Sequence, residues 1–222
     1  MIQKVRGIVL RFTKYGETSI IVTIFTDAFG LQSYIVNGVR SKSGKNKIAL
    51  YQPLTLLNLV VYHREHANLE RIKEITTMHP YSSLQSDIRK SSIGLFIAEL
   101  LNKTIRDESE GGELFEFVCT SLITLDTLRE GFENFHLIFM LKFSRYLGFG
   151  AMNINEVVGP HVADEPVVQA LESMLTCNYT DRIAITNHSR RILLDLITGF
   201  YKTHIENFGE MKSAHVLREI FS

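Results

Sequence analysis

Four cations without an intervening acid mark residues 38–47 as the segment of the chain best suited to bind phosphate. They are Arg40, Lys42, Lys45 and Lys47, in the string Gly-Val-Arg-Ser-Lys-Ser-Gly-Lys-Asn-Lys. A nucleotide-binding P-loop needs four residues between its glycines and a Ser or Thr after its Lys. Here five residues separate the glycines and Asn46 follows Lys45, so nucleotide hydrolysis is not indicated. The pattern predicts either contacts with the phosphates of an extended nucleic-acid strand or a solvated loop.

Further cations and aromatic residues occur nearby in the first 80 residues. The additional candidate phosphate contacts are Lys4, Arg6, Arg11, Lys14 and Arg64. The aromatic residues that could stack on bases are Phe12, Tyr15, Phe29, Tyr34, Tyr51 and Tyr62. Stacking of a base on an aromatic ring contributes about 1–3 kcal/mol. Aromatic residues of a small barrel also fill its interior, and the sequence leaves both alternatives open.

The charge of the chain is divided between its two parts, although the formal net charge is +0. Residues 1–80 contain 11 Lys and Arg against 5 Asp and Glu, a net charge of +6. Residues 81–222 contain 13 against 19, a net charge of −6. This asymmetry predicts that the first part contacts a polyanion, and that the second part binds proteins or supports the fold.

Other kinds of chemistry have weaker signals. His63 and His66 are close in sequence but lack a third metal ligand, and Cys119 and Cys177 are too isolated to form a zinc site. The chain has no Gly-x-Ser-x-Gly motif and no paired carboxylates. The sequence therefore predicts a protein that is not an enzyme and that uses no metal or cofactor.

The composition is that of a folded globular protein, with 222 residues of which 45% are hydrophobic and 22% charged. No uninterrupted apolar stretch approaches the 18 or so residues of a membrane span, and the first residues lack the features of a signal peptide. We therefore expect a cytoplasmic protein with reduced cysteines, built as one large domain or two small ones.

The first 80 residues have the alternation of β-branched and aromatic residues that is typical of strands. Five strands are predicted, at residues 3–12, 18–26, 31–38, 53–62 and 69–77. The second has apolar residues on both faces, as a central strand does, while residues 69–75 are mixed, as an edge strand is. Five short strands with one long connection predict a partly closed barrel such as the OB-fold, with a sandwich or an SH3-like barrel as alternatives.

Beyond Pro80, apolar residues recur at helical spacing. Helices are predicted from about residue 88 to the segment 107–112, and at 113–128, 132–147, 166–175, 189–205 and 212–220, with a loop around 148–164. The predicted fold class is α+β, with an OB-fold nucleic-acid-binding domain at residues 1–80 and a helical domain at residues 81–222.

Several strings along the chain are similar to those of one bacterial family. They are Gly7-Ile8-Val9-Leu10, Tyr15-Gly16-Glu17-Thr18-Ser19, Phe25-Thr26-Asp27, Phe29-Gly30-Leu31, Asn37-Gly38-Val39-Arg40-Ser41-Lys42, Leu50-Tyr51-Gln52-Pro53-Leu54, Glu99-Leu100-Leu101, Tyr146-Leu147-Gly148-Phe149 and Lys212-Ser213. With this order and spacing, the chain resembles the RecO recombination mediators of DNA repair.

The resemblance implies an OB-fold joined to a helical domain, without catalytic turnover. Such proteins bind single- and double-stranded DNA and anneal complementary strands. They also engage the acidic C-terminal tail of the single-strand-binding protein and work with RecR to help load RecA, in the cytoplasm at the nucleoid. On this basis Arg40 and Lys42 are the first DNA-contact candidates, and charge alone adds Lys45 and Lys47.

The resemblance also raises two questions about the second part of the chain. Many relatives have a four-cysteine zinc module after the string that matches Leu147-Gly148-Phe149, but residues 150–164 contain no cysteine, so we expect no zinc. A tail with carboxylates and an aromatic end needs an apolar groove with cations at its rim. The candidates are Lys142, Phe143, Arg145, Arg190 and Arg191, for which an ordinary role as surface cations is an equal alternative.

A DNA-binding mediator would act electrostatically, because its cations would lower the repulsion between the two strands that it pairs. The alternative from another class is a non-catalytic adaptor whose barrel binds a peptide or a nucleoprotein surface. A metal-dependent nuclease is a third interpretation, but the sequence has no carboxylate cluster for it.

Overall fold

Five strands near the start of the chain close into a barrel in the computed structural model, which describes residues 1–41, 45–64, 67–106, 112–159 and 164–221. The strands are β1 (Ile2–Tyr15), β2 (Ser19–Thr26), β3 (Gly30–Val36), β4 (Leu56–Tyr62) and β5 (Glu70–Thr77). Their order around the barrel is β1-β2-β3-β5-β4. The predicted α+β fold, an OB-type barrel followed by helices, is confirmed.

The strand β1 is the longest because it pairs with two partners. Its first half pairs with β4 from Ile2 to Ile8, and its second half pairs with β2 from Gly7 to Tyr15. The register with β2 shifts between Val9 and Arg11, and such a bulge bends a strand and increases its twist. β1 can therefore serve two sides of the barrel.

The strand β5 is not an edge strand, in contrast to the expectation from its mixed sequence. It pairs antiparallel with β4 along most of its length and parallel with β3 at Tyr34 and Ile35. Its polar residues from Arg71 to Thr77 are exposed, whereas Glu70 is buried, and Ile72 and Ile75 pack against the interior of the barrel. In a closed barrel, a strand with mixed polar and apolar residues is therefore one that has a solvent-exposed face and a face packed on the core.

A short 3-10 helix (Lys45–Tyr51) lies in the connection that was expected to be a loop. Tyr51 belongs to the interior cluster of the barrel, with Leu50 packed against it. The apolar end of the helix therefore fills the core, although its beginning is polar.

The remainder of the described chain is helical. The helices are α1 (Ile88–Thr104), α2 (Gly112–Thr127), α3 (Phe135–Tyr146), α4 (Ile154–Val158), α5 (Glu165–Thr176), α6 (Asn187–His204) and α7 (Ser213–Ile220). All but α4 were predicted, and α4 lies inside the predicted loop at 148–164. No helix in the described ranges is long and apolar enough to cross a membrane.

The chain forms two compact units that do not coincide with the strand and helix regions. The first unit combines Met1–Tyr81 with Leu101–Ile123. Within it, Phe25 packs on Phe115 with ring centroids 5.9 Å apart, and Asn102 Nδ2 donates to Leu10 O at 3.0 Å. The predicted domain division at residue 80 stays a prediction.

The second unit consists of Ser82–Leu100 and Thr124–Ser222. The Asp126 carboxylate accepts hydrogen bonds from the backbone amides of Ser82, Ser83 and Leu84. Burial raises the pKa of the Asp126 carboxyl, but these hydrogen bonds outweigh it and hold the pKa below its usual range.

Glu99 fixes the start of α7 in the second unit. Its carboxylate accepts hydrogen bonds from the backbone amide of Lys212 at 2.9 Å and that of Ser213 at 2.7 Å. A carboxylate at a helix N-terminus satisfies free amides and interacts favourably with the helix dipole. This contact positions the helix that forms one wall of the groove described below.

Candidate nucleic-acid interface and partner groove

Arg40 ties the segment after β3 to the turn between β1 and β2. Its backbone amide donates to Thr18 O at 2.9 Å, and its Nη1 donates to Gly16 O at 3.1 Å. Gly16 has a positive φ of 55°, which glycine adopts without strain. Because a guanidinium has five N–H donors, this contact leaves Arg40 with donors for another partner.

Other predicted cations lie on the second half of β1, which leads into this turn, and on the 3-10 helix. We define the turn surface as Arg11, Lys14, Tyr15, Arg40 and Lys47. Arg11, Lys14 and Lys47 are exposed, and none of them forms an ion pair with any residue that the structure describes. Tyr15 ends β1 with 51% of its surface exposed. Arg11 and Tyr15 share a face of β1 because alternate residues of a strand point the same way. Cations and exposed aromatic rings are the groups with which proteins bind single strands.

Arg6 differs from these cations because two carboxylates already bind it. Its Nε lies 2.8 Å from Asp27 Oδ2, and its Nη2 donates to Glu116. These two hydrogen bonds raise the pKa of the Arg6 guanidinium, and the one that Arg6 donates to Glu116 has the larger effect. Its Cζ also lies 5.2 Å from the centroid of the Phe115 ring. A phosphate would have to compete with these partners for Arg6.

The other predicted DNA contacts lie elsewhere. Lys4 is exposed on the first half of β1, and Arg64 is exposed after β4 with its amide donating to Glu70. Lys42 and the side chain of Lys45 lie outside the described residues. The predicted cations therefore do not all converge on the turn surface.

Among the six candidate stacking residues, Tyr15 and Tyr62 are exposed. Tyr62 has 44% of its surface exposed, whereas Tyr34 and Tyr51 are buried in the barrel core. Burial raises the pKa of Tyr34, and the charge of Glu70 raises it further. Phe12 and Phe29 pack against the core as well.

Sequence reasoning missed Arg71 as a candidate contact. Arg71 is exposed and pairs across the sheet with Tyr62 on β4 and Ile35 on β3. The prediction of β5 as an edge strand did not indicate that Arg71 has a neighbouring strand on each side. The alternation in β5 was the available signal, because Arg71 and Ile72 must point to opposite faces.

The structure separates the five predicted tail-binding residues into different surroundings. Phe143 is fully buried against Phe139, so it cannot line an open groove. Lys142 Nζ lies 5.9 Å from the ring centroid of Tyr179, and Arg145 Nη2 donates to Leu175 O at 2.6 Å.

Arg190 and Arg191 do line a common groove between α6 and α7. Its lining residues are His136, Asn187, Arg190, Arg191, Leu194, Leu217, Arg218 and Phe221. Arg190 Cζ lies 5.8 Å from the Phe221 ring centroid, and Arg191 Nη2 donates to Arg218 O at 3.2 Å. Sequence reasoning missed Arg218, although it lies on the same predicted helix as Leu217.

His136 is a buried polar residue of this α6–α7 groove, with 1% of its surface exposed. Its ring lies between Phe96 and Phe221, at centroid distances of 5.8 and 6.3 Å. Burial, and to a smaller extent the charge of Arg190, lower the pKa of His136 to about 3. His136 is therefore neutral at physiological pH.

No cluster of three or more His, Cys, Asp or Glu residues that could hold a metal occurs in the described ranges. Cys119 and Cys177 are buried free thiols. His63 Nδ1 lies 2.8 Å from Glu70 Oε1 and its ring stacks on Phe29, while His66 lies outside the described residues. The expectation that the protein binds no zinc stays a prediction.

Comparisons with known proteins cover both parts of the chain. The family model described as recombination protein O, N terminal, matches residues 1–81, and the corresponding C-terminal model matches residues 85–158. The DNA repair protein RecO of Bacteroides fragilis is 34% identical over 100% of both chains. That of Phocaeicola vulgatus is 33% identical over 100% of both, and that of Flavobacterium johnsoniae is 33% identical over 99% of both.

Proposed function

The chain belongs to the RecO family of DNA repair and recombination proteins, and we propose that it is a non-catalytic mediator that binds single- and double-stranded DNA and anneals complementary strands. The observation that carries this proposal is the turn surface, which combines exposed cations that form no ion pair with any described residue and the exposed ring of Tyr15. Lys and Arg that neutralise phosphates release counterions, which favours binding and lowers the repulsion between two strands.

The proposal includes a partner for the second unit. The α6–α7 groove is lined by three arginines, of which Arg218 also pairs with Asp195, and by the apolar residues Leu194, Leu217 and Phe221. An acidic peptide with an aromatic end matches this chemistry, because guanidinium groups pair with carboxylates and the side chains between them are apolar. These side chains would have to separate to admit the ring, since the groove has a volume of only about 10 Å³. We assign this groove to the tail of the single-strand-binding protein. Cooperation with RecR in loading RecA, at the nucleoid in the cytoplasm, completes the proposed role.

A fluorescence titration of single-stranded DNA across a salt series tests the DNA-binding role. The variant Lys14→Gln with Lys47→Gln should reduce the slope of log affinity against log salt by about 1.4, because each lost phosphate contact on a single strand removes about 0.7. The matched control is Arg129→Gln with Lys202→Gln, which removes the same charge from exposed positions of the second unit.

Three outcomes of this titration would contradict the proposal. An unchanged slope would show that the turn surface makes no phosphate contact. Absence of DNA binding by the full chain, with retained peptide binding, would favour the adaptor. Mg²⁺-dependent loss of intact DNA would favour a nuclease.

Titration with an acidic peptide that ends in phenylalanine tests the partner groove. We expect Arg191→Ala with Arg218→Ala to raise the Kd at least tenfold, since both cations lie at the rim of the groove. The comparison variant is Lys142→Ala with Arg145→Ala, which removes two predicted cations whose observed contacts lie elsewhere. If the second variant weakens binding and the first does not, the tail binds near α3 and the assignment is wrong.

A further inference from the structure

We infer that the barrel has a second nucleic-acid track, on the outer face of β1, β4 and β5, so that one protein molecule holds two strands. This inference rests on the proposed DNA-binding function and deepens it. We define the β4 face by six residues that point outward from these strands. They are Ile2, Lys4, Asn58, Tyr62, Arg71 and Thr76.

The strand register places these residues side by side. Tyr62 pairs with Ile2 on one side and with Arg71 on the other. Lys4 pairs with Val60 in the same sheet. The alternate residues Val5, Leu59 and Val61 belong to the interior cluster. Since successive side chains of a strand point to opposite faces, the whole set faces outward.

Exposure of an aromatic ring is the first sign that this face binds a ligand. Tyr62 is 44% exposed and its neighbour Ile2 is 52% exposed, whereas Tyr34 and Tyr51 are buried in the barrel core. Arg71 lies directly beside Tyr62. An aromatic ring next to an aliphatic residue and a guanidinium forms a platform on which a base can stack and a phosphate can pair.

Charge supports a nucleic acid over a protein as the occupant. Lys4 and Arg71 form no ion pair with residues in the described ranges. Two acids border this face, and each has a cation beside it: Glu74, which pairs with Val60 in the sheet, has Oε1 3.6 Å from Lys73 Nζ, and Asp27 binds Arg6. The four cations Lys4, Arg6, Arg71 and Lys73 therefore outnumber these two acids on this part of the sheet.

A surface groove continues from this platform along the sheet. It has a volume of about 440 Å³. Its lining residues include Lys4, Asn58, Val60 and Thr76, together with the acids Asp27 and Glu74. The exposed amide of Asn58 and hydroxyl of Thr76 are groups that hydrogen-bond with base edges. The groove thus extends the platform in the direction of Arg6 on β1.

The two tracks lie on different parts of β1. Lys4 is in the half that pairs with β4, and Lys14 is in the half that pairs with β2. Ten residues at about 3.3 Å each separate the two lysines by up to about 33 Å along the strand. Both tracks lie in the first compact unit. A protein that anneals strands needs two of them at once, and two separate tracks meet this need.

Two differently labelled oligothymidines, which cannot pair with each other, test the inference with the full-length protein. Energy transfer between the labels reports simultaneous binding, and sedimentation gives the number of strands per protein. We expect two strands per protein for the unmodified chain. The variant Tyr62→Ala with Arg71→Ala should bind one, and should anneal complementary strands at least fivefold more slowly.

The matched control is Tyr146→Ala with Arg129→Ala, which removes an exposed tyrosine and an exposed arginine from the second unit. If Tyr62→Ala with Arg71→Ala disrupts folding, as judged by circular dichroism, Arg71→Glu alone replaces it. Two strands per protein and unchanged annealing in these variants would overturn the inference and indicate a protein-binding face. The salt titration of the turn surface would still support the proposed function in that case. One strand per unmodified protein would overturn the inference as well.

Discussion

The cations of β1 do not follow one alternation of faces, because a bulge in this strand changes which positions face outward. Before the shift between Val9 and Arg11, even-numbered residues such as Lys4 and Arg6 lie on the outer face. After it, Arg11 takes an outward position. Sequence reasoning identified these cations from their charge. It could not assign their faces, because alternation is interrupted at a bulge that no residue type marked.

Burial is the second property that residue types did not reveal. His136 has no special sequence neighbourhood, yet it is enclosed between aromatic rings with its Nδ1 lacking a hydrogen-bond partner among the described residues. Three-dimensional packing sets its low pKa, and helical periodicity on α3 could only indicate a position in the core. The floor of the α6–α7 groove therefore depends on a neutral imidazole.

This imidazole predicts a loss of stability below neutral pH. The native pKa of His136 is about 3, whereas its ordinary value is 6.5, so the unfolded chain binds a proton first as the pH falls. The free energy of unfolding should drop by roughly 1 kcal/mol between pH 7 and 5.5 from this group alone. Urea denaturation at both pH values measures the drop.

Replacing the ring isolates this effect. His136→Phe keeps an aromatic residue between Phe96 and Phe221 and should remove most of the drop, while His188→Gln at an exposed position should retain it. Asp126 does not interfere, because stabilisation by a carboxyl with a lowered pKa is lost only as the pH falls below its ordinary value of 3.8. Equal drops in all three proteins would contradict the assignment.

At the scale of elements, long periodic segments were predictable and short ones were not. The five strands and the longer helices follow from alternation and from apolar spacing. The 3-10 helix and α4 have seven and five residues, which is too short for a period to show. Local contacts form them instead: Tyr51 anchors the first in the barrel core, and the Asn153 side chain caps the second by accepting from Asn155 N.

Close packing between strands explains one glycine of the family-like strings. A Cβ at Gly7 would lie 2.5 Å from Ile24 Cγ2 and 3.0 Å from Leu59 Cδ1. Both neighbours belong to the barrel core, so the centre of β1 requires a residue without a side chain. The resemblance located this position, but only the closed sheet gives its physical reason.

At the scale of the whole molecule, the division of charge and the division of packing do not coincide. The sequence changes from strands to helices near residue 80, and its net charge changes sign there. The first compact unit nevertheless includes Leu101–Ile123, a segment with two Lys and Arg against five Asp and Glu. Composition reports local propensity, whereas a compact unit depends on contacts between distant residues such as Phe25 and Phe115.

Hydrogen exchange of two conservative variants tests which division governs stability. Phe115 and Phe143 are both fully buried, the first in the first unit and the second in the other. Shortening either to Leu should lower stability by about 1–2 kcal/mol. If compact units open separately, Phe115→Leu should speed amide exchange in β1 and β2 more than in α6, because exchange follows the local free energy of opening.

Phe143→Leu should produce the opposite pattern and serves as the matched control. If residue 80 were the energetic boundary instead, Phe115→Leu would speed exchange in α3 and α6 and leave β1 and β2 unaffected. Equal acceleration everywhere in both variants would mean that the chain unfolds as one cooperative body. Of these outcomes, only faster exchange in β1 and β2 would place the helical segment around Phe115 in the same energetic unit as both proposed DNA tracks. Disrupted packing of that segment would then destabilise the two tracks.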